Sequence, residues 1–574
     1  MKKLLFYLKE YRKECVLGPL FKLLEASFEL MVPLVMRAVI DTGIAHRDQN
    51  YIIRMCLVLV ALGVVGLVCS ITAQFFAAKA SVGFAAKVRA ALFGHIQSLG
   101  FAEMDREGPA TLITRMTSDI NQVQNGMNLT LRLLLRSPFV VFGAMVMAFA
   151  IDWKAALIFV AVIPLLSIVV FGVMLWTMPR YKQVQQGLDK VLGITRENLT
   201  GVRVVRAFGR EEDEAAAFQA ENNALTHLQE FVGKVSALMN PVTYVLINLG
   251  AVVLVWVGAL RVDTGMITQG AVVALLNYMS QILVELVKLA NLIINITKAL
   301  ACANRVAAVL EIQPGLCSPE KGVSGSGAGV EFREVSLTYQ GAGAPTLTGL
   351  SFTVKPGQTV GIIGSTGSGK TSLVNLIPRF YEATEGQVLV GGVDVRQQPL
   401  EELRQKIGVV PQKAVLFGGT VRQNLLWGRG DASDQELWQA LETAQAREFM
   451  EQKPKGLEEP VEQGGRNFSG GQRQRLTIAR ALVRGPEILI LDDSASALDF
   501  ATDARLRQAL AGLPGRPTVF IVSQRASSIR HADLIIVLDE GRAVGLGTHD
   551  QLLENCGVYR EIYESQFEKG GKRT

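Results

Sequence analysis

The sequence predicts two architectures in one chain: an α-helical membrane domain of six transmembrane helices with long cytoplasmic extensions, followed by an α/β domain built on a parallel sheet. Three observations predict it. Apolar runs long enough to cross a bilayer crowd the first 300 residues. From Val330 onward short apolar runs, Val360–Ile363, Ile488–Leu491 and Val519–Val522 among them, alternate with helical stretches. The second of these runs ends in Asp492 and Asp493, so a strand buried on both faces delivers carboxylates to its carboxyl end, where open α/β sheets place their ligands.

At 574 residues the chain has room for two large domains, and 49% hydrophobic residues is rich for a soluble protein. Charged residues make up 19%, and a surplus of six basic residues fits the cytoplasmic loops of a membrane protein, with no nucleic-acid surface expected. Six cysteines (Cys15, Cys56, Cys69, Cys302, Cys317, Cys556) are scattered without a C-x-x-C pair or nearby histidines, so neither a zinc site nor a disulfide framework is expected. The Met-Lys-Lys start leads to no short apolar core with a small-residue cleavage site, and the first segment is read as a retained span.

Residues 1–13 mix Lys and Arg with Leu4, Leu5, Phe6, Tyr7 and Leu8, the composition of an amphipathic helix on the inner membrane surface. Six spans follow, near 17–38, 55–79, 131–151, 155–178, 235–260 and 266–296. The first carries Lys22, Glu25 and Glu29, while the third is short and needs Arg132 and Arg136 to snorkel at its cytoplasmic end. Three connections are short, among them Asp152-Trp153-Lys154 and Arg261 to Gly265; two, near 79–135 and 179–234, are long, charged and helix-patterned. The Lys/Arg excess of the long connections and of the amino terminus places that side, and both termini, in the cytoplasm, making this a multi-pass protein of the cytoplasmic (inner) membrane. The transmembrane domain is taken as 1–312, a flexible glycine- and serine-rich linker as 313–329, and the α/β domain as 330–574.

Gly364-Ser365-Thr366-Gly367-Ser368-Gly369-Lys370-Thr371 fits G-x-x-x-x-G-K-[ST], follows an apolar strand and precedes a helical stretch. Glycines let successive N–H groups turn toward a phosphate, and the helix amino terminus adds its positive dipole end. Lys370 neutralises β/γ oxygens, and Thr371 can ligate magnesium together with Asp492. Ser469-Gly470-Gly471-Gln472 opens another helix, at Gln474 to Val483, as a second anion-binding terminus; Ser469 as an ordinary N-cap is the plain alternative. One nucleotide has no need of two cradles from one chain, and two chains sharing two nucleotides resolve that.

In their order and spacing, Gly364, Lys370-Thr371, Gln412, Ser469-Gly470-Gly471-Gln472, Asp492 and Ser496-Ala497-Leu498-Asp499 resemble the nucleotide-binding domain of an ATP-binding-cassette (ABC) protein. With six spans ahead of it, nearly the whole chain resembles a half-transporter of the ABC exporter class. The resemblance implies an α/β P-loop ATPase domain with ATP and Mg2+ as cofactors. It also implies a second ABC half-transporter as partner, each ATP lying between the Gly364–Thr371 loop of one chain and the Ser469–Gln472 segment of the other. By the same resemblance Tyr339 stacks on adenine, with a strand-end core aromatic as its alternative, and Gln412 touches magnesium and relays nucleotide state to the membrane helices. The stretches Phe101 to Asp119 and Glu197 to Glu214 resemble intracellular extensions that press short coupling helices onto the ATP domains.

Two departures stand out. The family's catalytic glutamate is Asp493, its carboxylate retracted by about one C–C bond, roughly 1.5 Å, and errors of about 1 Å cost on the order of a hundredfold in rate. The family's switch histidine is Gln524, which can hydrogen-bond a phosphate but carries no titratable imidazole. Together they resemble the degenerate member of a heterodimeric ABC multidrug-type exporter, with hydrolysis at the site built on the partner's Walker motifs. Asn277, Gln281, Glu285, Lys288, Asn291 and Asn295 form one stripe of the sixth span, facing a water-filled cavity or a partner helix. Glu25, Glu29, Asn277, Gln281 and Glu285 are candidates for the path of an exported small or amphipathic molecule; their carboxylates favour a cationic cargo, Lys22 and Lys288 oppose it. A slow homodimer, a lipid or peptide translocase of the same fold, and a non-transporting regulator are the alternative readings.

Overall fold

The structure is a computed structural model describing residues 4–316, 318–319, 322–323, 325–494 and 496–567; Cys317 and Ser324 of the expected linker lie outside the described residues. The chain separates into two compact units, one holding residues up to Gln97 together with Ala110–Ile312, the other Ser98–Pro109 with the chain from Gln313.

The first unit is helical. A 3-10 segment, Leu4–Tyr11, leads into α1 (Arg12–Ala38), a π-helical turn at Val39–Ile44, and α2 (Gln49–Ser98). After α3 (Phe101–Glu107), which belongs to the other unit, come α4 (Pro109–Thr114), α5 (Ile120–Leu133), α6 (Arg136–Ile151), α7 (Trp153–Phe208), α8 (Glu211–Asp263) and α9 (Gln269–Leu310). Among the described residues five helical stretches are long and apolar enough to cross a membrane: Gln49–Ser98, Pro109–Ile151, Trp153–Phe208, Glu211–Asp263 and Gln269–Leu310. The charge-bearing α1 is not among them.

Short turns are fixed by charge. Asp152 caps α7 by accepting from the Ala155 N–H at 2.8 Å, and its other oxygen takes the Arg261 guanidinium at 2.5 Å. An acid at one helix start and a base at another helix end both suit the helix dipoles. Between α7 and α8, by contrast, Gly209 adopts a left-handed φ of 61° and the Arg210 N–H returns to the Val205 carbonyl, so two long helices simply turn there. Among the described residues no separate short helix interrupts Glu197 to Glu214.

Close packing comes from small residues: Ala26, Ala144, Ala148, Ala155, Ala156, Ala271 and Ala274 are fully buried, and the buried Tyr278 of α9 donates to the Leu30 carbonyl of α1 at 2.6 Å. Arg136 corrects a sequence expectation. It does not snorkel; it is buried, its guanidinium on Glu29 of α1 at 2.5 Å and Glu285 of α9 at 2.6 Å. Glu285 also accepts from Ser137 at 2.8 Å and Lys288 at 2.8 Å, and Lys22 pairs with Glu25 at 2.5 Å. With carboxylates supplied from two neighbouring helices, the arginine has protein partners in place of interfacial water.

The second unit is α/β. Its elements after α3 are β1 (Val330–Leu337), β2 (Leu347–Val354), β3 (Thr359–Gly364), α10 (Lys370–Leu376), β4 (Glu385–Val390), β5 (Val393–Asp394), α11 (Leu400–Gln405), β6 (Ile407–Val410), β7 (Gly419–Thr420), α12 (Val421–Leu426), α13 (Asp434–Thr443) and α14 (Arg447–Glu451). Then follow β8 (Pro460–Val461), α15 (Gly470–Val483), β9 (Ile488–Asp492), α16 (Phe500–Ala511), β10 (Thr518–Val522), α17 (Ala526–Ile529), β11 (Leu534–Asp539), β12 (Arg542–Gly547), α18 (His549–Asn555) and α19 (Gly557–Phe567).

Among the described residues the main sheet runs β12-β11-β3-β10-β9-β6, parallel apart from the antiparallel edge β12, and a second, antiparallel sheet runs β2-β1-β4-β5. Alternation along the central strands fills two cores. Ile488 and Ile490, with Phe520 and Val522, pack toward the antiparallel sheet; Leu489 and Leu491, with Val519 and Ile521, pack toward α13, α15 and α19. The end of the expected flexible linker is held instead: Ser326 N–H donates to Gly391, Gly391 N–H to Gly329, and Lys406 Nζ to the Gly325 carbonyl at 2.6 Å. A Cβ at Gly325 would stand 2.2 Å from the Val390 carbonyl, so this glycine serves close approach.

Removing Arg136 takes from the buried Glu285 its guanidinium partner, leaving it Lys288 and Ser137, and takes from Glu29 its ion pair. Arg136→Ala is expected to destabilise the full chain by about 3 kcal/mol, and Arg136→Met with Glu285→Met to recover most of the loss; thermal unfolding in detergent checks both.

Candidate nucleotide site

Register brings the site together. Parallel pairing sets Asp492 beside Val522 and Val522 beside Ile362, so Asp492-Asp493, Ser523-Gln524 and the loop after Gly364 emerge at one edge of the sheet. Within the loop Gly367 (φ 87°) and Gly369 (φ 93°) take left-handed conformations that glycine adopts without strain, and a Cβ at Gly364 would meet the Leu538 carbonyl at 2.0 Å.

Lys370 is buried and curls over this loop, donating to the Ser365 carbonyl at 2.7 Å and the Gly364 carbonyl at 3.0 Å. Burial pulls its pKa down, while Asp493 and Asp492 oppose the shift. Ser368 Oγ is buried without a hydrogen-bond partner among the described residues, a donor left over within the glycine-rich loop. Such a cradle fits a polyphosphate.

Thr371 donates its hydroxyl to Asp492 at 3.0 Å, and burial raises the Asp492 pKa against that hydrogen bond. A divalent cation there would relieve the desolvated carboxylate. The donors are hard oxygens, and Mg2+ bound through one or two protein oxygens plus phosphates and water fits this set. Asp493 sits in the left-handed region at φ 46°, its N–H on the Val522 carbonyl. Aspartate tolerates that conformation better than most residues. Burial raises its pKa as well, opposed by Gln412 and Lys370. Gln412 Nε2 donates to Asp493 at 3.4 Å, so this glutamine faces the Asp493 carboxylate.

Of the remaining expected residues, Tyr339 lies beside the phosphate-loop helix and Gln524 at the same sheet edge, whereas Ser469 to Gln472 open a separate helix. Tyr339 follows β1, half-buried, its hydroxyl on Ser372 Oγ at 2.9 Å and its ring edge-on to Tyr381 at 5.0 Å. Ser469 caps α15 by accepting from the Gln472 N–H at 3.3 Å, while Gln472 Oε1 accepts from the Ser469 N–H at 3.0 Å. Among the described residues none of Ser469, Gly470, Gly471 and Gln472 hydrogen-bonds to the Gly364–Thr371 loop. Gln524 is exposed.

Sequence reading missed what surrounds Gln524. Arg525 reaches the carbonyls of Leu498 (3.3 Å) and Ser496 (3.5 Å) and covers the Phe500 ring, and Ser496 Oγ donates to the Asp493 carbonyl at 2.7 Å. Gln566 of α19 reaches the same loop from the far end of the chain. Apart from the local Ser496–Asp493 bond, these contacts join segments distant in sequence, and no local motif marks them. Phe101 and Asp105 of α3, in the stretch expected to press on an ATP domain, meet Phe380 (ring centroids 4.7 Å apart) and the Tyr381 hydroxyl (2.5 Å) within this unit.

A phosphate loop, an acidic strand end and a capped second glycine terminus on one α/β unit, following bilayer-length helices in the sequence, define a membrane-bound ATP-driven transporter half. Residues 15–286 match the ABC transporter transmembrane region and residues 347–496 match the ABC transporter domain. The chain belongs to the ABC transporter family. It is 38% identical over 571 residues to an uncharacterized ABC transporter ATP-binding protein of Mycobacterium tuberculosis, covering 98% of this chain and 97% of that one. It is 35% identical over 575 residues to another, YfiB of Bacillus subtilis, covering 100% of both chains. An ATP-dependent lipid A-core flippase of Chromobacterium violaceum is 31% identical over 573 residues, 99% of this chain and 97% of that protein. The chain is thus a multi-pass half-transporter that binds ATP, couples its hydrolysis to export and works with a second half.

Lys370→Met keeps the length of the side chain and removes its charge. ATP affinity of the full chain is expected to fall by roughly tenfold to a hundredfold, the worth of charge-assisted hydrogen bonds. Equilibrium binding of labelled ATP checks it.

Proposed function

We propose that this chain is the degenerate-site half of a heterodimeric ABC exporter, moving a small or amphipathic substrate across the cytoplasmic membrane by alternating access. The observation that carries the reading is the pair Asp493 and Gln524. A carboxylate one bond short, facing Gln412, is poorly placed to polarise an attacking water, and a neutral amide stands where an imidazole would serve. The Ser469–Gln472 segment, capped and without hydrogen bonds to this chain's phosphate loop among the described residues, is free to complete the ATP site built on the partner.

In this cycle Gly364 to Lys370 hold the phosphates of one ATP, Thr371, Asp492 and Gln412 attend the magnesium, and Tyr339 stacks on adenine. Magnesium supplies charge neutralisation for the phosphates. Binding closes the two nucleotide domains head to tail, and the cytoplasmic helices transmit the closure to open the cavity outward. Hydrolysis at the partner's site resets it.

The membrane domain is read as 1–312 with six spans, the linker as 313–329 and the cassette as 330–574, both termini cytoplasmic. Pairing of Lys22 with Glu25 and of Glu29 with Arg136 supports counting α1 as a span, since ion-paired charges are tolerated between helices. Asn277, Gln281 and the part-exposed Glu29 line the substrate path, with Glu25 and Glu285 fixing its wall. The flippase among the relatives supports lipid translocation as the second reading.

The purified chain alone is expected to show little ATPase activity, and co-expression with a partner half carrying Glu and His at the two altered positions to restore it; robust turnover by the isolated chain would sink the heterodimer. Separately, Asp493→Glu with Gln524→His is expected to raise ATP turnover at this site in the assembled pair, measured with the partner's own site disabled.

A further inference from the structure

The loop carrying Gln524 is held at one end, where the Arg525 N–H donates to Ser523 Oγ at 2.9 Å, but the start of the helix after it needs a further partner. Arg525 stands at the amino end of the four-residue α17 and offers no side-chain cap, so the first helical N–H would lack a partner. Gln566, 40 residues away, supplies it: Oε1 accepts from the Ala526 N–H at 2.9 Å, while Nε2 donates to the Gln524 carbonyl at 2.8 Å. One primary amide therefore bridges the backbone on both sides of Arg525, a contact that needs an acceptor and a donor at once.

Its base is firm. α19 is seated by Tyr559, fully buried in the core beside α18, with its hydroxyl on His549 Nδ1 at 2.8 Å, and Tyr563 packs against the His549 ring. On the other side Arg525 continues to the carbonyls of Leu498 and Ser496, and Ser496 to the carbonyl of Asp493. A chain of contacts thus runs from the last described helix to the backbone carbonyl of Asp493.

We infer that Gln566 is a positioning residue of the nucleotide site: it holds the Gln524 loop so that the Gln524 side chain meets the γ-phosphate, and through it α19 controls the preference for ATP over ADP. This rests on reading Gln524 as the γ-phosphate contact.

The test uses the full chain in lipid nanodiscs as Gln566→Ala, the isosteric Gln566→Glu, and Gln524→Ala. Gln566→Ala is expected to speed hydrogen exchange at residues 524–528 by about threefold to tenfold, the equivalent of one ordinary hydrogen bond, with β10 unchanged. ATP affinity should fall by a similar factor while ADP affinity holds, a split that mere loss of fold stability does not produce. Gln566→Glu keeps the acceptor, so Ala526 should stay protected while ATP preference weakens. Should Gln566→Ala leave exchange and the ATP/ADP ratio unmoved while Gln524→Ala lowers that ratio, the inference is overturned. An unmoved ratio in Gln524→Ala would instead overturn the γ-phosphate reading beneath it, with the exchange result still reporting on the clamp.

Discussion

Everything in the second unit depends on the parallel register of β3, β10 and β9. Because Ile362, Val522 and Asp492 lie side by side, the phosphate loop, the Gln524 loop and the acidic strand end share one edge without any of them being long. That register is fixed by burial on both faces. A slip of one residue would exchange Leu489 and Leu491 with Ile488 and Ile490 and set the two cores against the wrong layers. The chemistry at the edge is therefore held by hydrophobic packing behind it, and the strained φ of Asp493 is tolerated because both of its neighbouring segments are anchored.

What could be read from the sequence was local. Gly364 to Thr371, Asp492 and the Ser469 terminus are contiguous motifs whose residue types state their own physics, and each sits where strand and helix patterning put it. The alternation that placed Ile488–Leu491 in a doubly buried strand likewise needs only neighbours in the chain. Arg136 failed for the opposite reason. Seen along its own helix it is a charge near a membrane edge, and only the approach of Glu29 and Glu285, 107 and 149 residues away in sequence, makes burial tolerable. Gln566 escaped notice for the same reason: a polar residue on a terminal helix carries no signal until its partners arrive from 40 and 42 residues upstream. Gly325 shows a subtler limit, since glycine reads equally as freedom or as close approach.

The buried network in the first unit also alters how the membrane carboxylates bear on cargo. Taken one by one, Glu25, Glu29 and Glu285 argue for a cation. Taken with their partners they do not: Lys22 neutralises Glu25, and Arg136 and Lys288 together balance Glu29 and Glu285. A charge compensated within about 3 Å exerts little field on a molecule passing several ångströms further away, because the pair presents a dipole whose potential falls more steeply than that of a single ion. Glu29 and Glu285 therefore act first on α1, α6 and α9, tying three helices through the Arg136 guanidinium while Glu25 pairs within α1, and on the proposed substrate path electrostatic selection is left to the part-exposed Glu29 and the Asn277 amide. On that proposed path, shape and amphipathic character then weigh more than net charge.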